Sequence, residues 1–503
     1  MLRTFASVCF WIFVISLSAR AAERPNVLFI AIDDLNDWVG VFGGHPKAQT
    51  PNLDQFAKSG CVVFQNAHCA GPVCGPSRSA ILSGFMPHRS GVYGNANNML
   101  DSKLVQTHFT MPEYFSRNGY VTISRGKIAH KHSTKSGFDS GHWMYDHWER
   151  AQGGGGVDPN TVTSRDKNLI EGKLGSPSKH TRSGGSEFSW GVSNSPTNKT
   201  KDYLTARWAA EQLTAQHDKP FFLAVGFSKP HLPFYSPQEF WDRFPKAENY
   251  LPKIREDDFD DVRRPDGSPL QGKSADYLWL EQNNLLNEAA RAYLVCCTYA
   301  DHCVGVVLDA LASSQQANNT IVVIWGDHGW HLGEKLRYRK ASLWSESTRC
   351  PLMIRTPDMS EKKNCNRAVN LVDFFPTLID LCGLPQRPML DGRSIASLLK
   401  DPTKAWFPTL TIRGKGDASV HNEYWNLIRR ESSRTYELYD LKHDPMEWKN
   451  LWGNPNIADV QRQLELHLPK SFADPISKFT GKKKRGQQLD QSIRPRRLAA
   501  DLK

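Results

Sequence analysis

The sequence predicts an α/β fold, with a large, mostly parallel (mixed) sheet sandwiched by helices and a smaller C-terminal α+β subdomain that carries an antiparallel sheet. Four short runs are almost wholly apolar, as strands buried on both faces are. Helical patterns lie between or after these runs, which indicates parallel connections. The predicted strands are residues 27–32, 120–124, 221–227 and 321–325, and the predicted helices are residues 202–214, 288–313 and 372–381.

The N-terminus is typical of an export signal. Arg3 precedes an apolar run at residues 5–17, and residues 19–21 (Ala-Arg-Ala) form a small-x-small cleavage pattern. The run is shorter than a bilayer requires. We expect a signal peptide over residues 1–21 and an exported protein, in the periplasm, the extracellular space or the lysosome depending on the host. An uncleaved anchor is the alternative, and we expect no membrane span after signal cleavage.

The rest of the chain divides into three predicted parts: a large α/β domain at 22–395, a C-terminal subdomain at 396–470 and a basic flexible tail at 471–503. Two long irregular insertions in the large domain are typical of loops that face a substrate. The subdomain strands are expected at 409–413, 424–429 and 436–441, a closing helix at 457–468, and the insertions at about 153–200 and 251–280.

The basic charge does not indicate nucleic-acid binding. The formal net charge is +11, but the tail carries nine cations against three acids, and Arg3 and Arg20 lie in the predicted leader. The body then carries a net charge of only +3, so the tail is the strongly basic part. The ten cysteines lack the spacing of a disulfide scaffold or a zinc ribbon, and most are expected to be buried apolar groups. A bridge between Cys350 and Cys365 stays open.

Ionisable side chains follow each of the four predicted strands. Because the carboxyl ends of parallel strands meet at one edge of an open sheet, we expect these side chains to share one site. One such group alone could be an ordinary surface turn, but four together indicate function. The residues concerned are Asp33, Asp34, Lys127, His130, His231, Asp327 and His328.

Three of these side chains are carboxylates and predict a metal site. Asp33, Asp34 and Asp327 would repel one another at one edge unless a cation neutralised them. Hard divalent cations prefer several oxygen ligands of this kind. His328 could add a ring nitrogen, which leaves transition metals open on chemistry alone.

The segment Cys74-Gly-Pro-Ser-Arg78 predicts a helix start, because Pro76 suits the first helical turn. Cys74 then lies near free N–H groups that attract an anion. The same setting is expected to lower the pKa of the thiol. A buried cysteine next to a helix start is the alternative.

These motifs also carry a family resemblance. The segment Cys74-Gly-Pro-Ser-Arg-Ser-Ala-Ile-Leu-Ser-Gly84 and the segment Gly119-Tyr-Val-Thr-Ile-Ser-Arg-Gly-Lys-Ile-Ala-His130 resemble the two signatures of the formylglycine-dependent (type I) sulfatases, in the alkaline phosphatase superfamily. The resemblance extends over roughly residues 24–455. Residues 221–234 and 325–334 are most similar to iduronate-2-sulfatases, and residues 437–451 resemble the family's C-terminal subdomain.

The resemblance implies a mechanism. Cys74 would be oxidised to formylglycine by a formylglycine-generating or equivalent maturation enzyme, and the hydrated aldehyde would attack sulfur. One divalent metal, Ca²⁺ in the family, would polarise the sulfate. His328 stands where other members often have a carboxamide. The implied metal shell is Asp33, Asp34, Cys74, Asp327 and His328.

The resemblance also implies roles for the cations. Arg78 would steady the nucleophile, and Lys127 and Lys340 would hold the sulfate oxygens. His231 would protonate the departing sugar oxygen, and His130 would take a proton from the second hydroxyl of the nucleophile to expel sulfate. For Lys340 a solvated basic turn is the alternative, since other cations lie nearby in the sequence.

The expected function is that of a sulfuric ester hydrolase that acts on a sulfated carbohydrate. A phosphomonoester, phosphodiester or phosphonate monoester hydrolase on the same scaffold is the alternative, because sulfate and phosphate have similar shapes. A binding protein with an inactive site is a third reading, which the complete residue set disfavours. Aromatic groups that could stack on a sugar, or merely pack, are His142, Trp143, His147 and Trp148.

Overall fold

The computed structural model describes residues 24–130, 144–149, 188–193, 195–270 and 272–477. The predicted signal peptide and the tail beyond residue 477 lie outside the described residues, as do His142, Trp143 and the side chain of Trp148.

Strands and helices alternate through the large domain, and strands dominate after residue 400. The strands are β1 (Asn26–Ile32), β2 (Val62–Phe64), β3 (Ala67–His68), β4 (Val121–Gly126), β5 (His147–Glu149), β6 (Trp190–Val192), β7 (Phe221–Phe227), β8 (Phe234–Ser236), β9 (Thr320–Gly326), β10 (His331–Leu332), β11 (Tyr338–Arg339), β12 (Leu352–Arg355), β13 (Lys363–Cys365), β14 (Val369–Asn370), β15 (Thr409–Ile412), β16 (Ala418–His421), β17 (Trp425–Arg430) and β18 (Thr435–Asp440). The α-helices are α1 (Pro51–Lys58), α2 (Cys74–Ser83), α3 (Pro87–Ser90), α4 (Lys103–Gln106), α5 (Met111–Arg117), α6 (Lys201–Thr214), α7 (Gln238–Trp241), α8 (Ala275–Gln282), α9 (Leu286–Ala312), α10 (Ser345–Thr348), α11 (Phe374–Leu381), α12 (Ala396–Lys400) and α13 (Ala458–Glu465).

The large sheet has the strand order β13-β2-β12-β9-β1-β7-β4-β5 within the described residues. The run from β9 to β5 is parallel, and β12 pairs antiparallel with both of its neighbours. The four predicted strands are its central members. The predicted α/β class with a mostly parallel, mixed sheet is therefore confirmed.

Strand β1 shows why the runs are continuously apolar. All seven of its residues are buried. Leu28, Ile30 and Ile32 pack into the core layer that contains α9. Val27 and Phe29 pack into the opposite layer, where the ring of Phe29 meets that of Phe374 at 5.6 Å. Both faces are covered by helices, so alternation with polar residues is lost.

Helix α9 corrects one expectation about membrane spans. Among the described residues, it is the one helix long and apolar enough to cross a bilayer, with a mean hydropathy of 1.5. No such stretch was expected after the predicted signal peptide. However, 72% of that stretch is buried inside the protein, because α9 packs against the sheet and α6. A buried core helix of a folded domain meets the same criteria of length and apolar composition as a membrane-spanning helix.

The C-terminal subdomain is built on the antiparallel order β15-β16-β17-β18, as predicted, with α13 packed on the sheet. Strand β16 is an addition to the three predicted strands. The first residues after this subdomain return to the large domain: the N–H groups of Ala473 and Ile476 donate to the carbonyls of His88 and Gly91. Residues 473–476, assigned to a flexible tail, are thus tied to the domain surface.

The other differences are local. Residues 147–149, for which no strand was predicted, form the edge strand β5, which pairs with β4. The helix expected at 372–381 begins as a 3-10 turn, Leu371–Asp373, before α11. All described cysteines carry free, buried thiols, including Cys350 and Cys365.

Candidate active site

The site lies at the carboxyl ends of the central strands. Ile32 pairs in register with Gly326, so Asp33 and Asp327 leave the sheet side by side. The next residue, Asp34, adopts a left-handed backbone conformation (φ 61°). Its N–H donates to Asp327 Oδ1 at 3.0 Å, and its carbonyl accepts from the Tyr293 hydroxyl at 2.7 Å. This backbone conformation directs the side chains of two consecutive aspartates into one pocket.

Cys74 is the first residue of α2, and its side chain is fully buried. Lys340 Nζ lies 3.0 Å from its Sγ and His328 Nε2 lies 3.3 Å from it. Asp34 Oδ1 and Lys127 Nζ follow at 3.7 and 3.9 Å. Groups from four separate stretches of chain therefore surround one sulfur atom.

Arg78, one turn further along α2, joins two of the carboxylates. Its Nη2 lies 3.0 Å from Asp33 Oδ1 and its Nε lies 2.8 Å from Asp327 Oδ2. A third contact runs from Nη1 to the carbonyl of Ile128 at 3.1 Å. All three charged side chains are fully buried. Arg78 therefore fixes the distance between the ends of β1 and β9.

The donor set fits a divalent cation. Ligand atoms of Asp34, Cys74, Asp327 and His328 all lie within 4.8 Å of one another, and those of Asp33, Asp34, Cys74 and His231 form a second such group. Asp34 Oδ2 is buried and has no hydrogen-bond partner among the described residues. A buried carboxylate oxygen without a partner is costly unless a cation meets it.

The neighbouring cations control the state of the carboxylates. Burial alone would raise the pKa of Asp33, but Lys127, His231 and Arg78 lower it well below its usual value. Burial also opposes the charge of Asp34, and His231 and Lys340 lower its pKa in turn. Both groups are therefore ionised at neutral pH.

The thiol does not behave as the helix start predicts. Burial raises the pKa of Cys74 far above its usual value, although Lys127 and Lys340 oppose the rise. The expected lowering of the thiol pKa is therefore wrong, because complete desolvation outweighs the helix N-terminus and both amines. An unmodified Cys74 is a neutral thiol and a weak nucleophile.

The two lysines lie as a pair at the mouth of the pocket. Lys127 Nζ contacts Asp33 and Lys340 Nζ contacts Asp34. Burial would lower the pKa of Lys340, but Asp34 and Cys74 raise it above its usual value. The Lys340 side chain is only 13% exposed, unlike a residue of a solvated turn.

The two histidines predicted to carry protons are His231 and His130, and His231 lies next to the carboxylates of the site. His231 Nε2 lies 3.7 Å from Asp34 Oδ2 and 4.0 Å from Asp33 Oδ2, and burial lowers its pKa to about 4. His231 Nδ1 faces the carbonyl of Leu232 at 2.5 Å, which fixes the ring. His130 lies four residues beyond the end of β4, half-buried at the margin of the described chain.

Two residues to which the sequence assigned no role support the site. Ser77 Oγ donates to the carbonyl of Asp327 at 2.5 Å, which ties α2 to the end of β9. Tyr293, inside the apolar pattern of α9, holds the carbonyl of Asp34. Ser77 stands within the cysteine motif, but a tyrosine in a core helix carries no sequence signal for such a role.

An α/β sheet that collects carboxylates, a sulfur and several cations at its strand ends defines a hydrolase of anionic esters assisted by a metal. The family described as Sulfatase matches residues 25–384, and the family described as N-sulphoglucosamine sulphohydrolase, C-terminal, matches residues 326–474. The chain belongs to the sulfatase family, and it is a sulfatase. The resemblance stated from the motifs is confirmed.

Curated relatives cover nearly the whole chain. A sulfatase from Formosa agariphila is 32% identical over 473 residues, covering 92% of this chain and 90% of the relative. The human iduronate 2-sulfatase is 28% identical over 511 residues, covering 93% of this chain and 84% of the relative.

Solved structures show the same fold. BT4656 in complex with its substrate D-glucosamine-2-N,6-O-disulfate has a TM-score of 0.65 at 20% identity, covering 88% of this chain and 96% of that one. The phosphonate monoester hydrolase of Agrobacterium radiobacter has a TM-score of 0.68 at 20% identity, covering 88% and 94%.

Proposed function

We propose that this sulfatase removes sulfate from a sulfated carbohydrate, with a formylglycine made from Cys74 as nucleophile and with Ca²⁺ as the divalent metal. The observation that carries the proposal is the convergence on Cys74 Sγ of Lys340, His328, Asp34 and Lys127, all within 3.9 Å. The buried neutral thiol supports a modified nucleophile, since the unmodified group is a poor one.

Asp33, Asp34, Asp327, His328 and residue 74 would hold the metal. When bound, the metal supplies Lewis-acid polarisation of the sulfate and stabilises the charge that develops on it. The oxygen-rich set, with one partnerless carboxylate oxygen on Asp34, supports a hard cation such as Ca²⁺.

The chain's own cations bind and orient the sulfate. Lys127 and Lys340 both reach the sulfur position of residue 74 while they contact carboxylates, so an anion attached there meets two ammonium groups. Such fixed charges stabilise the oxygens as the ester bond breaks, since they need no reorganisation. Arg78 is committed to Asp33 and Asp327 and steadies the helix start that carries the nucleophile.

His231 would donate the proton to the departing sugar oxygen, and His130 would accept a proton from the second hydroxyl of the nucleophile. In the substrate-free protein, burial holds the pKa of His231 at about 4, so its ring is neutral. A sulfate ester bound between the lysines brings negative charge next to this ring and favours its protonated form.

The relatives support a carbohydrate substrate. The human relative is named as an iduronate 2-sulfatase, and the solved structure of BT4656 contains a sulfated sugar, a glucosamine disulfate, as its substrate. The similarity at residues 221–234 and 325–334 supports an iduronate-2-sulfatase-like activity in particular. The likeness to the phosphonate monoester hydrolase concerns the fold, so that activity is the alternative. The leader pattern supports export, and maturation would need a host enzyme that oxidises Cys74.

The first experiment combines one substitution with a substrate screen. Cys74→Ala is expected to abolish hydrolysis of sulfated oligosaccharides, because no nucleophile remains, and to leave the melting temperature nearly unchanged. Cys303→Ala, a buried cysteine of the core helix α9, is the matched control and keeps activity. Mass spectrometry of the peptide around residue 74 reports the aldehyde. Full activity of Cys74→Ala, or hydrolysis of phosphonate esters in preference to sulfate esters, would contradict the proposal.

A further inference from the structure

A second cavity lies outside the pocket around Cys74. Its volume is about 570 Å³, within the range of roughly 300–1,000 Å³ that ligand pockets occupy. The loop at residues 264–270 forms one wall, and the turns that follow β15 and β17 form the other. Its charged lining residues are Arg264, Asp266, Arg413, Asp417, Arg430 and Arg434. Four arginines thus face two aspartates, and none of the groups around Cys74 lines the cavity.

Arg430 is a buried cation with unused hydrogen-bonding capacity. Only 4% of this residue is exposed. Its Nε donates to Glu437 Oε1 at 2.8 Å, but its Nη2 has no partner among the described residues. Arg430 lines the cavity, and its buried guanidinium contributes positive charge at the cavity wall. A guanidinium fork of this kind suits the oxygens of a carboxylate or a sulfate.

The arginines of the lining outnumber its aspartates by four to two, so the lining carries net positive charge. Arg337, which lies near Arg430 and Arg413, has a buried Nε without a hydrogen-bond partner among the described residues. Burial, with Arg430 and Arg413 close by, lowers the pKa of Arg337 to about 10. Arg413 meets Asp417 only at 3.9 Å. The cavity therefore favours an anion over a neutral sugar.

The cavity and the reaction centre share one backbone segment. Arg413 Nε donates to the carbonyl of Ala341, the residue after Lys340. Lys340 Nζ lies 3.0 Å from Cys74 Sγ. The Arg413 side chain, the backbone at residues 340–341 and the Lys340 side chain therefore connect the cavity to Cys74.

We propose that this arginine cavity is a subsite for a second anionic group of the substrate, a sulfate or a carboxylate on a sugar near the one that loses its sulfate. This inference rests on the proposed function and adds that the substrate is a polyanionic glycan. A small aryl sulfate would not reach the cavity.

Two substitutions test the subsite without removing buried contacts. Arg434 is exposed and adopts a left-handed conformation (φ 53°), which asparagine tolerates, so Arg434→Asn removes one charge without backbone strain. Ser432, also exposed, lines the cavity, and Ser432→Asp adds a negative charge there. Arg462→Asn, on α13 and 67% exposed, is the matched control.

Steady-state kinetics compare a heparin-derived tetrasaccharide with 4-nitrophenyl sulfate. Each cavity variant is expected to raise KM for the tetrasaccharide by about 10-fold, with kcat within about twofold and with unchanged kinetics on the aryl sulfate. Arg462→Asn changes neither substrate. Equal effects on both substrates, or no effect on the tetrasaccharide, would overturn the subsite.

A binding measurement separates this inference from the proposed function. Calorimetry of the tetrasaccharide with Cys74→Ala reports the cavity without turnover, and adding Arg434→Asn is expected to weaken that binding by about 10-fold. If the wild type hydrolyses no sulfate ester but this loss persists, the proposed function fails and the subsite stands. If only inorganic sulfate binding weakens, the cavity holds free anions and the subsite is refuted.

Discussion

Two charged regions of this protein are built on opposite plans. Around Cys74, three cations meet three carboxylates, and each cation lies against at least one of them. At the junction of the large domain with the C-terminal sheet, defined here by His68, His421 and the arginine cavity, several buried polar groups lack a hydrogen-bond partner among the described residues. His421 is fully buried, and neither of its ring nitrogens has a partner among the described residues.

The two regions are therefore suited to different tasks: fixed positioning of charge around Cys74, and a response to pH or to anions at the junction. Balanced, buried charges keep fixed positions over a wide pH range, which suits a reaction centre. Buried groups without a hydrogen-bond partner change their free energy when a proton or an anion binds, so the stability of the junction depends on pH and on bound anions. Three measurements can break or sharpen this contrast.

Breaking the balance at the reaction centre is expected to have the largest effect. Arg78→Ala leaves Asp33 and Asp327 buried without their shared partner, so the free energy of unfolding is expected to fall by about 3–5 kcal/mol. Denaturant unfolding measures the loss. Arg462→Ala removes an exposed pair with Asp459 and is expected to cost under ~1 kcal/mol. Similar losses in both variants would remove the contrast between buried and exposed pairs.

A divalent cation is expected to stabilise the reaction centre and not the junction. At about 100 times its Kd, a metal that binds only the folded protein adds about 2.7 kcal/mol. Thermal unfolding with and without Ca²⁺ measures this gain. Asp34→Asn, which removes the partnerless buried oxygen's charge, is expected to abolish the gain, whereas Asp417→Asn in the arginine cavity retains it. A gain that survives Asp34→Asn would place the metal elsewhere.

Acid is expected to act on the junction, with a smaller effect. His421 stacks on His68 at 3.8 Å, and burial and Arg349 lower the pKa of His421 from 6.5 to about 3. The unfolded chain therefore binds a proton on this residue more readily than the folded protein does. The stability that this difference provides is complete above pH 6.5 and is lost as the pH falls toward 3.

The substitution His421→Phe keeps a ring against His68 and removes this titration. The loss of unfolding free energy between pH 7 and pH 4.5 is expected to shrink by about 2–3 kcal/mol relative to the wild type. Denaturant unfolding at the two pH values measures it. An unchanged loss would show that acid acts on other groups.

The sequence predicted the central sheet closely because burial on both faces makes the strands continuously apolar. The strand predicted at residues 27–32 is observed at Asn26–Ile32, and the strand predicted at residues 221–227 is observed with the same bounds. Strand β16 was missed since Ala418–His421 is short, carries no apolar run and is held by pairing with β15 and β17. Strand β5 was missed for the same reason, as it pairs only at the edge with β4.

The candidate site was predictable where chemistry follows a strand end. Asp33, Asp34 and Asp327 could be predicted as site residues from their position after a strand alone, and the structure brings them together. Lys340 sits in a basic run that a solvated turn explains equally well, and only tertiary packing places its amine at Cys74. The raised thiol pKa and the arginine cavity depend on contacts between distant segments, which leave no local pattern.

The complete burial of Cys74 imposes a schedule on the making of this enzyme. Under the proposed mechanism, an oxidising partner would have to reach the sulfur before α2 closes over it. Under the same mechanism, a chain that folds before oxidation would keep a thiol at residue 74, so the active fraction of a preparation would be set before folding is complete.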